Sequence, residues 1–123
     1  MTHRILVVDD DDDVRRLAVM ALSRVGGHEV TSVASGADCL AALAVELPDA
    51  VVLDVMMPEM DGPTTLNAIR DDPATRDVPV VFLTAGVVDA DMDRLKTLPA
   101  AGILNKPFDP LQISRQLGDI LGW

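Results

Sequence analysis

Short apolar runs rich in β-branched residues alternate along this chain with stretches in which apolar residues recur at helical spacing. Continuous apolar strands separated by amphipathic helices are the pattern of a parallel sheet covered on both faces by crossover helices. Residues 5–8 (Ile-Leu-Val-Val) read as a first buried strand. From there Val14, Leu17, Ala18, Ala21, Leu22 and Val25 mark one face of a helix that stops at Gly26 and Gly27. A short second strand is expected near 29–32. Ser35 is placed to cap the next helix, whose stripe is Leu40, Leu43, Ala44 and Leu47, and Pro48-Asp49 breaks the chain before a third strand over 50–53 that runs into Asp54.

The second half repeats the alternation. A loop over 56–62 leads to a short helix over 64–70, a polar connection over 71–77 and a strand over 78–83. A fourth helix is expected from Asp89, with the thin stripe Met92, Leu95 and Leu98, ending before Pro99; a fifth strand follows over 101–104. Asp109 as a cap, Pro110 at the first helical position and Gln112 as the far member of a capping box announce a last helix with the stripe Ile113, Leu117, Ile120 and Leu121. Five strands and five helices joined by right-handed crossovers make an α/β, doubly wound parallel sheet, expected as a single domain over 1–123. A length of 123 residues leaves no room for a second domain of ordinary size.

Charge and composition narrow the function. Ten Lys and Arg against twenty Asp and Glu give a net charge of −10, and the basic residues are scattered, which argues against direct nucleic-acid binding. No apolar run approaches the roughly 20 residues that span a bilayer, so no membrane segment is expected. The opening Met1-Thr2-His3-Arg4 runs straight into a strand without a leader pattern, and Cys39 is the only cysteine, which permits no internal disulfide; both fit a cytoplasmic chain. Cys39 is read as a packing residue. His3 and His28 are far in sequence from any cluster of functional groups and receive no role. Trp123 either covers the last helix or faces solvent.

Doubly wound sheets place their ligands beyond the carboxyl ends of the strands, and the residues found there carry the chemistry. Asp9 and Asp10 follow the first strand, Asp54 ends the third, Thr84 ends the fourth, and Asn105-Lys106-Pro107 closes the fifth. Three carboxylates at close range repel by about 1 kcal/mol per pair at 4 Å in water and roughly four times that near a protein surface, so the site calls for a cation. Hard oxygen donors suit Mg²⁺. An EF-hand reading of the aspartate run fails, because its sixth and twelfth positions, counted from Asp9, hold Val14 and Met20 instead of Gly and Glu. Beside a metal, a carboxylate becomes a nucleophile toward phosphorus. Asp54, on the central strand, is the expected acceptor. Lys106 and Thr84 are placed to hold phosphoryl oxygens, the Ala85 amide to complete the cradle, and the Met56 carbonyl to join Asp9, Asp10 and Asp54 as a metal ligand. Asp11, Asp12 and Asp13 are read as solvated or helix-terminal charges, and Pro58 and Gly62 as turn residues beneath the site.

The segments ILVVDDD, VVLDVMMPEMDG, VFLTA and KPF, in this order and at these spacings, resemble the receiver domain of two-component response regulators over essentially the whole chain. The resemblance implies the flavodoxin-like topology of that family, Mg²⁺ on Asp9 and Asp10, and phosphorylation of Asp54 by a histidine kinase or histidine phosphotransfer protein. Self-catalysed hydrolysis and a phosphorylation-switched surface for a downstream protein target are implied as well. So are a switch hydroxyl at Thr84, a phosphate-contacting Lys106 and a cis Lys106–Pro107 bond. No turnover of an external substrate is expected. One position departs from the pattern: Ile103 stands three residues before the lysine, where many receivers have Tyr or Phe, so an aromatic switch is absent. Competing readings fare less well. An aspartyl phosphatase lacks its second acid, since Val55 and Met56 follow Asp54, and a flavin module would have to place phosphate against five aspartates. A degenerate receiver, acting as a phosphate-independent interaction module, is the alternative that keeps the same fold. The sequence leaves the oligomeric state open.

Overall fold

The computed structural model describes residues 2–85 and 89–123, with 89–92 as backbone only. Its strands are β1 (Arg4–Val8), β2 (Glu29–Val33), β3 (Ala50–Asp54), β4 (Val80–Thr84) and β5 (Gly102–Asn105). The helices are α1 (Asp12–Met20), α2 (Gly36–Val45), α3 (Gly62–Asp71), α4 (Asp89–Lys96) and α5 (Ile113–Leu121). The strands form one parallel sheet in the order β2-β1-β3-β4-β5, with β1 flanked by β2 and β3, so the expected α/β doubly wound architecture is observed. The chain winds outward from β1 to β2 on one side and to β3, β4 and β5 on the other. The crevice therefore opens at the carboxyl ends of β1 and β3.

The sheet's continuous apolar strands are explained by two cores. Leu6, Val8, Val51, Leu53, Val80 and Phe82 pack toward Cys39 and Leu43 of α2, Leu66 and Ile69 of α3 and Leu95 of α4. Their strand neighbours Ile5, Val7, Val52, Val81 and Leu83 pack on the other face against Ala18, Leu22, Ile113 and Leu117. Side chains alternate across a strand, so a residue buried on one face has neighbours buried on the other, and β3 and β4 are buried at every position. The edge strand β2 is exposed or half-buried throughout, as its polar sequence Glu-Val-Thr-Ser-Val requires.

Several boundaries differ from the sequence reading. Helix α1 begins at Asp12, because the Asp11 side chain accepts hydrogen bonds from the amides of Asp13 and Val14. It continues as a π-helical stretch, Ala21–Val25, whose wider turn departs from the 3.6-residue period. Ala18, Ala21 and Leu22 of the expected stripe are buried, but Leu17 in α1 and Val25 in the π-helical stretch face solvent. In α2 the buried residues are Gly36, Cys39 and Leu43; Ala44 is exposed, and Leu47 lies past the helix end and is exposed. Helix α3 starts two residues early, capped by Asp61. Strand β4 starts at Val80, after Pro79, which has no amide hydrogen to donate to the sheet. The capping box expected before the last helix is not formed. Asp109 instead accepts from the Leu111 amide in a preceding turn, and Gln112 makes no side-chain cap. The Met92 side chain, part of the expected stripe of the fourth helix, lies outside the described residues.

Candidate functional site

Each strand end delivers one part of the site. Parallel pairing sets Val8 beside Leu53, so the residues that follow β1 emerge next to Asp54 at the end of β3. Pairing of β4 with β5 sets Thr84 beside Asn105, and the Lys106 amide donates to the Thr84 carbonyl at 2.7 Å. The Lys106–Pro107 peptide bond is cis.

The carboxylates converge. Asp9, Asp10 and Asp54 each present an oxygen within 4.8 Å of the others. Asp9 is fully buried and Asp54 nearly so, whereas Asp10 is exposed at the mouth. One oxygen of Asp9, Oδ1, accepts from the Asp11 amide at 2.9 Å. Its other oxygen, Oδ2, is buried without a hydrogen bond among the described residues, although the Lys106 ammonium stands 2.7 Å away as an ion pair outside hydrogen-bonding angles. Lys106 Nζ donates to Asp54 Oδ1 at 3.1 Å. One ammonium thus serves two buried carboxylates with a third beside them, which leaves the pocket short of positive charge.

The titration behaviour follows from this crowding. Burial and then the Asp9 carboxylate push the Asp54 carboxyl up from its ordinary value to about 6, against the opposing pull of Lys106. Burial disfavours the Lys106 ammonium, but the neighbouring Asp9 and Asp54 carboxylates outweigh it and hold its pKa above the usual lysine value. A hard divalent cation would supply the missing charge, and the all-oxygen donor set with an unbonded, buried Asp9 Oδ2 fits one. The exposed residue Met56 lies two positions beyond Asp54, on the loop leaving β3.

Thr84 is buried at the end of β4, and its Oγ1 has no hydrogen-bond partner among the described residues. A buried hydroxyl without a partner costs stability, so this one is poised for an acceptor that arrives from outside. The exposed Ala85 follows it at the rim. Beneath the site Gly62 is required for close packing: a Cβ there would meet the Asp54 carbonyl oxygen at 2.5 Å and Val55 Cα at 2.8 Å. The Gly62 amide donates to the Val55 carbonyl at 2.9 Å, closing the loop under Asp54. His3 and His28 lie at the opposite end of the sheet, where His3 stacks on Trp123 with ring centroids 3.8 Å apart.

One residue of the site had no sequence signal strong enough to single it out. Arg15, on the first turn of α1, donates to the Asp9 backbone carbonyl at 2.9 Å and pairs with Asp12. Its spacing of three from Asp12 is a common helical ion-pair spacing, but the reach back to Asp9 depends on how the acidic turn folds.

The family pattern of the response regulator receiver domain matches residues 5–117. The chain is 42% identical over 116 residues to the response regulator PleD of Caulobacter vibrioides, covering 92% of this chain and 25% of that protein. It is 38% identical over 117 residues to the transcriptional regulatory protein GltR of Pseudomonas aeruginosa, covering 95% of this chain and 48% of that protein. The chain therefore spans a quarter to about half of the length of these curated relatives. Among solved structures, a putative response regulator from Chloroflexus aurantiacus superposes with a TM-score of 0.86 at 35% identity, covering 100% of both chains. The chemotaxis protein CheY4 of Vibrio cholerae superposes with a TM-score of 0.88 at 28% identity, covering 98% of this chain and 99% of that one. With a family match along most of its length and the doubly wound sheet that places three aspartates, a threonine and a lysine on one rim, the chain belongs to the receiver domains of two-component response regulators.

Proposed function

We propose that this chain is a phosphoacceptor switch, taking a phosphoryl group on Asp54 in a Mg²⁺-dependent reaction and releasing it again by hydrolysis. The observation that carries the reading is the pairing of a nearly buried Asp54, 3.1 Å from the Lys106 ammonium, with a buried Thr84 hydroxyl that has no partner among the described residues. Such a site has a nucleophile and unspent donors for oxygens that are not yet there.

The donor is the phosphohistidine of a histidine kinase or histidine phosphotransfer protein, and this reading puts the chain in the cytoplasm with such donors. An Asp54 carboxylate oxygen attacks phosphorus, the P–O bond forms as the P–N bond breaks, and the departing imidazole keeps the electron pair and takes a proton. Asp9, Asp10, Asp54 and the Met56 carbonyl would hold Mg²⁺, which when bound supplies the charge that lets the carboxylates and the phosphoryl oxygens approach. Lys106 is held between Asp9 and Asp54, so its ammonium is in place to accept a phosphoryl oxygen as a partner. Thr84 Oγ1 and the Ala85 amide serve the remaining oxygens. Water then attacks the acyl phosphate and restores Asp54, so the chain catalyses only its own modification and turns over no external substrate. The output is contact with a downstream protein target. Direct binding to nucleic acid is disfavoured by the net charge of −10. Among the described residues no helix is long and apolar enough to cross a membrane.

Incubation with acetyl phosphate, with and without Mg²⁺, followed by intact mass measurement, tests this directly. One phosphate adduct that requires Mg²⁺ and is missing in Asp54→Asn is expected. No adduct on a folded protein that binds Mg²⁺ would leave a phosphate-independent interaction module as the surviving reading.

A further inference from the structure

We infer that Arg15 is a positioning residue of the carboxylate site, fixing the turn that carries Asp9 and Asp10 and thereby setting how tightly the site holds a divalent cation. The inference rests on the metal-binding reading of the site and adds a residue that does not itself face the cation.

The argument begins with the backbone of the acidic run. Asp9 follows β1 and Asp11 caps α1, so the chain turns sharply between strand and helix over 9–11, with Asp10 in the middle. Two bonds hold the first half of this turn: the Asp9 amide donates to the Val33 carbonyl at 3.2 Å, and the Asp11 amide donates to Asp9 Oδ1 at 2.9 Å. The second closes a ring through the peptide unit between Asp9 and Asp10, but neither bond engages the oxygen of that peptide unit. Its carbonyl, the Asp9 oxygen, is bonded instead by one arm of the Arg15 guanidinium at 2.9 Å. A peptide unit is planar, so fixing the carbonyl direction fixes the amide and Cα of Asp10 as well. Asp10 is exposed, and the direction in which its side chain leaves the backbone is set by this contact together with the bond from the Asp11 amide to Asp9 Oδ1.

Arg15 is suited to the task. It is mostly buried, with its side chain 18% exposed, and its second arm pairs with Asp12, which orients the planar fork. It also starts on the rigid first turn of α1, where its amide donates to the Asp11 carbonyl at 2.9 Å. The acidic run thus divides its labour: Asp9 and Asp10 face the site, Asp11 caps the helix, and Asp12 aims the arginine that braces the turn.

Charge and position predict opposite results. A cation near a carboxylate cluster competes with an incoming divalent ion, so a residue acting through charge alone would bind Mg²⁺ more tightly once neutralised. A residue that supports ligand geometry weakens binding when removed, typically by 10-fold or more. The test is the Mg²⁺ dissociation constant of the full chain, measured by isothermal titration calorimetry without any phosphodonor, for wild type, Arg15→Gln and Arg15→Lys. Thermal melts in EDTA establish that each variant folds. Arg15→Gln is expected to weaken binding about 10-fold, and Arg15→Lys, which keeps the charge and one contact but loses the fork, by an intermediate factor. If Arg15→Gln does not fold, weakened binding by a folded Arg15→Lys supports the inference and unchanged binding by it overturns the inference. Affinity of Arg15→Gln equal to or tighter than wild type also overturns it while leaving the phosphoacceptor reading intact. Absence of Mg²⁺ binding by the wild type would instead sink the reading on which it stands, and this inference with it.

Discussion

Cys39 sits fully buried on α2 against the sheet, where burial alone pushes its thiol pKa from 9.0 up to about 12. The thiolate is the reactive form, and a shift of that size lowers its population at pH 8 by about 1,000-fold. Ellman's reagent should therefore modify the native protein no faster than the chain opens, with full reaction in urea; rapid labelling of the native state would show that α2 exposes this face. Cys39 was legible as a packing residue because a lone cysteine has no partner for a disulfide or a metal cluster, although the expected stripe of its helix did not include it. The site residues were legible for a different reason: Asp9, Asp10, Asp54, Thr84 and Lys106 all stand where an apolar strand ends. Arg15 was not legible, because its partner is a backbone carbonyl whose direction no side-chain pattern encodes. Gly62 was legible as a turn residue beneath the site, but its contact with the Asp54 carbonyl is made only once β3 and α3 are packed.

Among the elements, α3 is tied to the sheet by more than its apolar face. Arg70 donates to the carbonyls of Pro99 at 3.0 Å, Arg76 at 2.9 Å and Val78 at 2.6 Å, so one side chain near the end of α3 fastens both the entry to β4 and the approach to β5. Truncation in Arg70→Ala leaves three acceptors without this donor and is expected to cost about 1–3 kcal/mol. Hydrogen exchange should quicken at Val78 and over 97–101 and remain unchanged in β1 and β3; a uniform increase would show that Arg70 acts on global stability alone. The element count and order followed from periodicity, and the boundaries failed where capping or helix geometry intervened. Asp11 and Asp61 start their helices earlier than the apolar stripe suggests, because a cap serves backbone amides that carry no hydrophobic signal. The π-helical stretch after α1 contains Val25 and leaves it facing outward, which a fixed period of 3.6 residues does not anticipate.

For the whole molecule, the carboxylate site makes stability depend on pH, and on Mg²⁺ under the proposed function. The Asp54 pKa is raised from 3.8 to about 6 by burial and Asp9, so the folded state binds this proton more tightly than the unfolded chain. Its contribution is fully present below about pH 4 and lost as the pH rises through 6, leaving a cost on the order of 2–3 kcal/mol at neutral pH. In EDTA, Asp54→Asn should thus gain stability over wild type at pH 7 and gain little at pH 4, as read from urea unfolding. Saturating Mg²⁺ should narrow the difference at pH 7 by stabilising the wild type. Parallel pH curves for the two proteins would place the strain elsewhere. The sequence by itself determined the alternation of strand and helix, the two buried faces of the sheet and the identity of the residues at its carboxyl rim, because those depend on local periodicity and on residue type. The tertiary structure decided what these residues are to one another: one lysine shared between Asp9 and Asp54, a threonine hydroxyl without a partner among the described residues, and an arginine hydrogen-bonded to the acidic turn. Distances of a few ångströms between groups far apart in the chain arise only when the strands take their register, and it is at those distances that burial and charge act.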